Sequence, residues 1–110
     1  MRLIVRPEAE ADLLQAYAWY EEQRSGLGVA FLEAVTRCQE AIVQRPLSFP
    51  LVGDLARRAM TRRFPYALFF VIGECDISVV AAFHMARSPE ELSTRERPVA
   101  QQTISASRER

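Results

Sequence analysis

The side chains that could do chemistry in this 110-residue chain are concentrated in its second half. Residues 55–73 carry four basic groups and no acid, and the one histidine of the chain follows a later apolar run. The four basic groups are Arg57, Arg58, Arg62 and Arg63. The histidine is His84, and a further arginine, Arg87, follows it. Cations presented from a rigid sheet suit a polar or anionic macromolecular partner. The alternative is a solvated edge strand, in which arginines discourage aggregation.

His84 and the arginines also admit a catalytic interpretation. Cleavage of RNA by attack of the 2′-hydroxyl requires a base, an acid and cations that stabilise the phosphorane. His84 could take part in proton transfer, and the charge could come from three arginines: Arg58, Arg62 and Arg87. A single histidine at the end of a strand is more often a capping or interface residue. Binding and catalysis therefore both stay open at the level of these residues.

The sequence lacks the motifs that common nucleotide-binding, hydrolytic and metal-dependent sites require. The sequence contains no phosphate-binding glycine loop, dinucleotide fingerprint, zinc-protease motif or serine-hydrolase motif. Cys38 and Cys75 form no CxxC pair, and a single histidine does not complete a metal cluster with them. We therefore expect neither a metal nor another cofactor. Cys38 falls on an apolar helical stripe and is predicted to be buried, whereas Cys75 falls in a predicted turn.

Composition and charge indicate a single small globular domain. The formal net charge is zero, but residues 1–54 carry five arginines against eight acids, and residues 55–97 carry seven arginines against five acids. Every basic side chain is arginine, whose planar fork suits interface ion pairs and phosphate contacts. No apolar run approaches the ~20 residues of a membrane span, and the N-terminal apolar run is too short for a signal peptide. We therefore expect a cytoplasmic protein without a membrane partner.

The first half of the chain has the periodicity of a strand and two helices. Leu3-Ile4-Val5 predicts a strand, and Pro7 suits the first turn of a helix. Two apolar stripes at helical spacing follow, separated by a glycine-containing link at residues 24–28. The stripes are Ala9, Leu13, Ala16, Tyr17 and Tyr20, and then Phe31, Ala34, Val35, Cys38, Ala41 and Ile42. Trp19 lies off the first stripe, so it either covers the second helix or is an exposed contact residue.

The second half predicts three strands. Residues 57–63 are interpreted as a basic strand and residues 66–72 as a central one, followed by a hairpin turn at residues 73–76. In the last strand, strict alternation places Ile77, Val79, Ala81 and Phe83 on one face and Ser78, Val80, Ala82 and His84 on the other. A short helix is expected from Pro89. Residues 1–97 would form one domain, and residues 98–110 a disordered tail.

The predicted fold class is α+β with the order β-α-α-β-β-β. Two amphipathic helices with a short link form an antiparallel hairpin, which would pack on one face of the sheet. The sheet is expected to be small, twisted and mainly antiparallel.

The order of these landmarks resembles the RelE/ParE superfamily of toxins from bacterial type II toxin–antitoxin modules. The resemblance covers roughly residues 2–92, and its ordered set of residues is more specific than any one motif. The matching stretches are Pro7 to Leu13, Tyr17-Ala18-Trp19-Tyr20, Gly26-Leu27-Gly28 with Phe31, Val52-Gly53, Arg57-Arg58, Arg63-Phe64-Pro65-Tyr66 and His84-Met85-Ala86-Arg87. The resemblance implies a helical hairpin against a twisted sheet.

The branches of that superfamily differ in function. RelE-like members cleave mRNA in the ribosomal A site, whereas ParE-like members inhibit DNA gyrase without being nucleases. In the nuclease branch an arginine follows the tyrosine that corresponds to Tyr66, but here that position is Ala67. Arg58 and Arg87 do match basic positions of the nuclease site. The nuclease branch is also often strongly basic, as binding to ribosomal RNA favours, whereas this chain is neutral.

The resemblance implies a ParE-like toxin that binds its target, DNA gyrase, and is neutralised by a cognate antitoxin. Because Trp19 lies beside an apolar helical hairpin, we expect the antitoxin to fold on the toxin and bury apolar surface. The alternatives are a metal-independent, ribosome-dependent mRNA endonuclease using Arg58, His84 and Arg87, or a degenerate member that binds an antitoxin without toxicity. The candidate residues for binding target or antitoxin are Arg57, Arg58, Arg62, Arg63, Tyr66, His84, Arg87 and Trp19.

Overall fold

The computed structural model describes residues 1–97 and contains one four-stranded sheet with helices on both faces. The strand order is β1-β4-β3-β2, with β1 parallel to β4 and the other neighbours antiparallel. The strands are β1 (Arg2–Val5), β2 (Arg57–Met60), β3 (Tyr66–Ile72) and β4 (Asp76–His84). The helices are α1 (Pro7–Gln23), α2 (Leu27–Gln44) and α3 (Leu92–Arg95), with a 3₁₀ turn at Pro46–Ser48. The predicted order and α+β class are confirmed, and α3 is the short helix expected after the last strand.

The α1–α2 hairpin covers one face of the sheet, as predicted. Its stripes pack on Leu68 and Phe70 of β3 and on Ile77 and Val79 of β4. The two helices approach each other closely at Gly28, where a Cβ atom would lie only 2.7 Å from the carbonyl oxygen of Tyr17. Of the predicted stripe residues, Tyr17 is only partly buried and Ala41 is exposed.

The opposite face of the sheet carries a second, smaller core that α3 closes. Its members are Ala56, Ala67, Phe69, Val80, Ala81, Phe83 and Leu92. Leu92, at the start of α3, is 5% exposed and is the contribution of the C-terminal segment to this core. A sheet covered on both faces explains why β3 and β4 are continuous apolar runs.

A bulge in β4 corrects the predicted faces of that strand. The pairing between β3 and β4 shifts by one residue beside Phe69 and Phe70, which leaves Val80 as the extra residue. Beyond the bulge, Ala81 and Phe83 join Val80 in the second core, while Ala82 packs under the helices. The sequence-based assignment of Ala81 and Phe83 to the face of Ile77 was therefore wrong, because strict alternation does not survive an inserted residue.

Three boundaries also differ from the sequence prediction. The basic strand ends at Met60, so residues 61–65 form a turn rather than a continuation of β2. The hairpin turn is one residue shorter because β4 begins at Asp76, and α3 begins at Leu92 rather than near Pro89. The predicted tail, residues 98–110, lies outside the described residues. Among residues 1–97, no helix combines the length and the apolarity that crossing a membrane requires.

Candidate functional site

A groove beside several of the predicted site residues lies between α1 and the end of the β3–β4 hairpin. It has a volume of about 620 Å³, and the residues that determine its chemistry are Asp12, Trp19, Tyr20, Tyr66, His84 and Arg87. We call it the α1–β4 groove. The hairpin positions Tyr66 and His84, which are paired across the strands, and α1 supplies the opposite wall.

Aromatic rings form a continuous wall of the α1–β4 groove. Trp19 is 55% exposed and packs edge-on against Tyr20, with ring centroids 5.1 Å apart. Tyr20 contacts Tyr66 at 6.1 Å, and Tyr66 contacts His84 at 5.3 Å, both in T-shaped geometry. More than half of the Trp19 side chain is therefore open to solvent, on the wall of the α1–β4 groove. An exposed indole over a rigid aromatic base is typical of a surface that anchors a macromolecular partner.

Tyr66 is held in its protonated form. Burial raises the pKa of the Tyr66 phenol, and the nearby charge of Asp12 raises it further, while Arg87 lowers it. Burial likewise raises the pKa of Tyr20, with a further contribution from Tyr66. Both phenols therefore offer hydrogen-bonding hydroxyls at neutral pH and do not act as bases.

His84 has one of its two ring nitrogens already engaged. The backbone N–H of Ala86 donates to His84 Nδ1 at 3.0 Å. Because Nδ1 accepts this bond, the neutral ring carries its proton on Nε2. The groove-facing histidine is therefore a donor at Nε2 and has no free basic lone pair without loss of the Ala86 contact.

Arg87 lies at the mouth of the groove and remains accessible. Its guanidinium stacks on the Phe83 ring, 4.1 Å from the centroid, and forms an ion pair with Glu91. The side chain is still 42% exposed. Stacking fixes the plane of the fork and leaves edges for a partner's carboxylate or phosphate.

Asp12 and Arg95 form a structural ion pair that the sequence interpretation missed. Arg95 Nη1 donates to Asp12 Oδ2 at 2.7 Å and to the Val80 carbonyl at 3.2 Å. Asp12 Oδ2 also accepts from Ala82 N–H at 3.0 Å, at the edge of β4 beyond its pairing with β1, which extends to Val79. Asp12 therefore accepts a hydrogen bond from a backbone N–H at the sheet edge and has a structural role. The sequence did contain a signal for this structural role of Asp12. The residue follows Ala9 by three positions and precedes Ala16 by four, which places it beside the buried stripe of α1.

Arg58, His84 and Arg87 line a second, smaller recess of about 130 Å³ on the other side of the sheet end. These are the three residues that a nuclease interpretation would use. Apolar side chains line the bottom of the recess. One of them is Ala67, which is 1% exposed and belongs to the second core. The position at which the resemblance expects an arginine in nucleases is thus buried in this chain.

The remaining predicted arginines do not join these residues in one polar face. Arg57 Nη1 donates to the Phe49 carbonyl at 2.8 Å, which ties the loop before β2 to the sheet. Arg62 and Arg63 lie in the turn after β2 and line a different groove, against α2. The eight candidate residues are therefore divided among the α1–β4 groove, the small recess, a loop contact and the α2 side.

Comparisons with known proteins bear on the fold. No family model and no curated protein sequence matches the chain. A chain of a solved structure described as the "Chromosomal ParDE TA system from P. aeruginosa" matches with a TM-score of 0.69 and 17% identity. The match covers 76% of this chain and 95% of that one. The protein therefore shares the α+β fold of that chain, which is the fold class that the sequence resemblance implied.

Proposed function

We propose that the protein is the toxin of a type II toxin–antitoxin module and acts by binding DNA gyrase. The observation that carries the proposal is the α1–β4 groove, an exposed aromatic and cationic surface on a RelE/ParE-like fold. Trp19, Tyr66, His84 and Arg87 supply the contacts. Their chemistry of exposed rings, a ring N–H donor and a guanidinium fork is that of a protein interface hot spot.

Three features support binding rather than catalysis at this surface. His84 Nδ1 is occupied by Ala86 N–H, so the ring is poorly suited to accept a proton from a 2′-hydroxyl. Burial keeps the pKa of Tyr66 above its ordinary value, so its phenol is not a base. Ala67 supplies no cation to stabilise a phosphorane, and a lost preorganised donor costs ~10²–10³ in rate.

A ribosome-dependent mRNA endonuclease is the second candidate. It is favoured by one observation, the convergence of Arg58, His84 and Arg87 on the same small recess. Two arginines and an imidazole beside a common space are a minimal set for phosphate binding. The recess of about 130 Å³ is small for a nucleotide, and its floor is apolar, which is why we rank this function second.

Neutralisation by an antitoxin encoded beside the toxin completes the proposal. Trp19 presents an exposed indole, and a segment that folds on this surface would bury it. Such coupled folding buries ~1,000–3,000 Å² and raises thermal stability by mass action. The neighbouring gene product should accordingly raise the melting temperature of the purified chain.

Expression of the chain alone tests the proposal. Induction should trigger a DNA damage response while bulk translation continues, and primer extension on translated mRNA should show no discrete cuts. Cuts in the ribosomal A site would instead establish the nuclease function. Absence of both responses, together with stable binding of the neighbouring gene product, would identify a degenerate member that binds an antitoxin without toxicity.

A further inference from the structure

A second groove lies on the opposite side of the helical hairpin, between α2, the end of β2 and the turn at residues 61–65. Its volume is about 550 Å³, and we call it the α2–β2 groove. The wall formed by α2 includes Ala34 and Ala41, which are short and leave the groove open, while Phe49 and Met60 supply apolar area opposite. Met60 is 48% exposed, so this is an accessible apolar surface.

Three cations surround this apolar surface. Arg37 lies on the α2 wall, and Arg62 and Arg63 lie on the turn, whereas Glu33 is the one acid among the lining residues. Within residues 1–97, none of the three arginines forms an ion pair. Guanidinium groups without a carboxylate partner at the rim of an apolar groove favour a partner that combines apolar side chains with carboxylates.

Arg63 adopts a backbone conformation that disfavours its own side chain. Its φ angle is +76°, in the left-handed region, where glycine is the favoured residue. The turn is held from both sides, since Thr61 Oγ1 donates to the Phe64 carbonyl at 2.9 Å and the Phe64 ring is buried against Tyr20 and Phe31. The turn itself would accept glycine at this position. The Arg63 guanidinium lies over the Phe64 ring, 5.2 Å from its centroid, and the same side chain lines the groove.

We propose that the α2–β2 groove is a docking site for an acidic amphipathic segment of a partner protein. Apolar side chains of that segment would cover Phe49 and Met60, and its carboxylates would pair with Arg37, Arg62 and Arg63. The mainly apolar lining favours such a segment over nucleic acid, whose backbone offers charge but no comparable apolar surface. The inference rests on groove shape and charge and holds whether or not the chain is a gyrase-binding toxin.

The test uses the full-length ¹⁵N-labelled chain and two synthetic amphipathic peptides of about 15 residues. Both peptides carry leucines along one helical face, flanked by glutamates in the first and by lysines in the second. The glutamate peptide should shift the backbone amides of α2 residues in the groove, such as Ala34 and Arg37, and the lysine peptide should not. The double substitution Arg37→Glu/Arg62→Glu should weaken binding about tenfold, because two rim cations become repulsive.

Matched variants separate the groove from bulk charge and from folding. Arg2→Glu/Arg24→Glu has the same net charge but alters arginines outside the groove, so it should leave the affinity unchanged. Arg63→Gly should weaken binding about threefold while the melting temperature changes little, since relief of the left-handed strain offsets the lost contact with the Phe64 ring. Equal binding of both peptides, no shifts at the α2–β2 groove, or shifts produced there by a short single-stranded RNA in place of the glutamate peptide would each overturn the proposal.

Discussion

Tyr66 lies directly opposite His84 across the β3–β4 hairpin, with the two rings in edge contact at 5.3 Å. This relationship depends on the bulge in β4. Near the turn, Ile72 pairs with Ile77, and an unbroken ladder from that pair would set Tyr66 opposite Phe83. The extra residue, Val80, advances the strand by one position. It thereby turns His84 toward the α1–β4 groove and Phe83 into the second core.

The first prediction distinguishes two contributions of His84: the packing of its ring and the proton transfer that its nitrogens could perform. His84→Phe keeps the edge contact with Tyr66 but removes both nitrogens, whereas His84→Ala removes the ring. If the residue acts by packing and contact, His84→Phe should retain most of the growth arrest in cells expressing the chain and lose only the contribution of the Nε2–H donor. His84→Ala should weaken it by the two- to tenfold that an aromatic contact of about 0.5–1.5 kcal/mol supplies.

Growth arrest is to be scored against titrated inducer at matched protein levels, with Glu90→Ala as an exposed control in the same chain. Equal loss of arrest in His84→Phe and His84→Ala would show that the imidazole nitrogens are required. Discrete mRNA cuts that disappear in both variants would assign His84 to catalysis.

The bulge also marks the limit of what the sequence predicted. The number, type and order of the principal elements followed from periodicity and from Pro and Gly positions, because those signals are local. The face on which His84 emerges depends on one inserted residue inside a continuous apolar run, where every side chain is buried and alternation carries no signal. The sequence therefore pointed to His84 because it is the one histidine of the chain, but the pairing of β3 with β4 determines which residues His84 contacts.

The basic segment at residues 57–63 shows a second limit. Four arginines in seven positions predict a charged strand, but β2 ends at Met60 and the chain turns to bury Phe64. Arg62 and Arg63 consequently face α2, away from His84. The interaction of Phe64 with Tyr20 and Phe31 decides this, and such long-range contacts are not visible in local sequence.

The second prediction concerns Glu96, which joins the C-terminal segment to the loop before β2. Its Oε1 accepts from Leu55 N–H at 2.9 Å and Ala56 N–H at 2.7 Å, and a Cβ on Gly53 would clash with the same oxygen. Glu96→Ala should lower the free energy of unfolding by about 2–3 kcal/mol, because two amide donors lose their acceptor. Gly53→Ala should cost about 1–3 kcal/mol by displacing the carboxylate.

The two changes should not be additive. Once Glu96 is alanine, the atom that Gly53→Ala would strike is gone, so the double variant should be little less stable than Glu96→Ala alone. Urea unfolding of the four proteins in the cycle measures the coupling. Additive losses would mean that the Gly53 substitution acts through its own backbone and not through Glu96.

The third prediction concerns Cys38 and alkaline pH. Cys38 is buried, 3.7 Å from the carbonyl oxygens of Ala59 and Met60, and burial raises the pKa of its thiol from 9.0 to about 11. The unfolded chain therefore releases this proton first. The thiol's contribution to stability is fully present below pH 9 and is lost as the pH rises toward 11.

Comparison with Cys38→Ala isolates this effect, since the tyrosines titrate in both proteins. The difference in free energy of unfolding between the two should be constant up to pH 9 and then shift against the native chain. At pH 8, Cys75, which is exposed, should react quickly with a thiol reagent, while Cys38 reacts only on unfolding. Two equally fast thiols in the folded protein would contradict the buried position of Cys38.

The fourth prediction asks whether an arginine at position 67 would restore a nuclease site. Ala67 is 1% exposed and packs with Phe69, Phe83 and Leu92 in the second core, so its side chain faces α3 and not solvent. Ala67→Arg should therefore cost about 3 kcal/mol or more of stability by burying an unpaired charge, and it should not confer cleavage of ribosome-bound mRNA. Ala86→Arg, which adds the same charge at an exposed position, should leave stability unchanged. Unfolding curves and primer extension on the same variants decide the matter. A stable Ala67→Arg protein that cuts mRNA would mean that α3 is readily displaced and that the recess of Arg58, His84 and Arg87 lacks only its central cation.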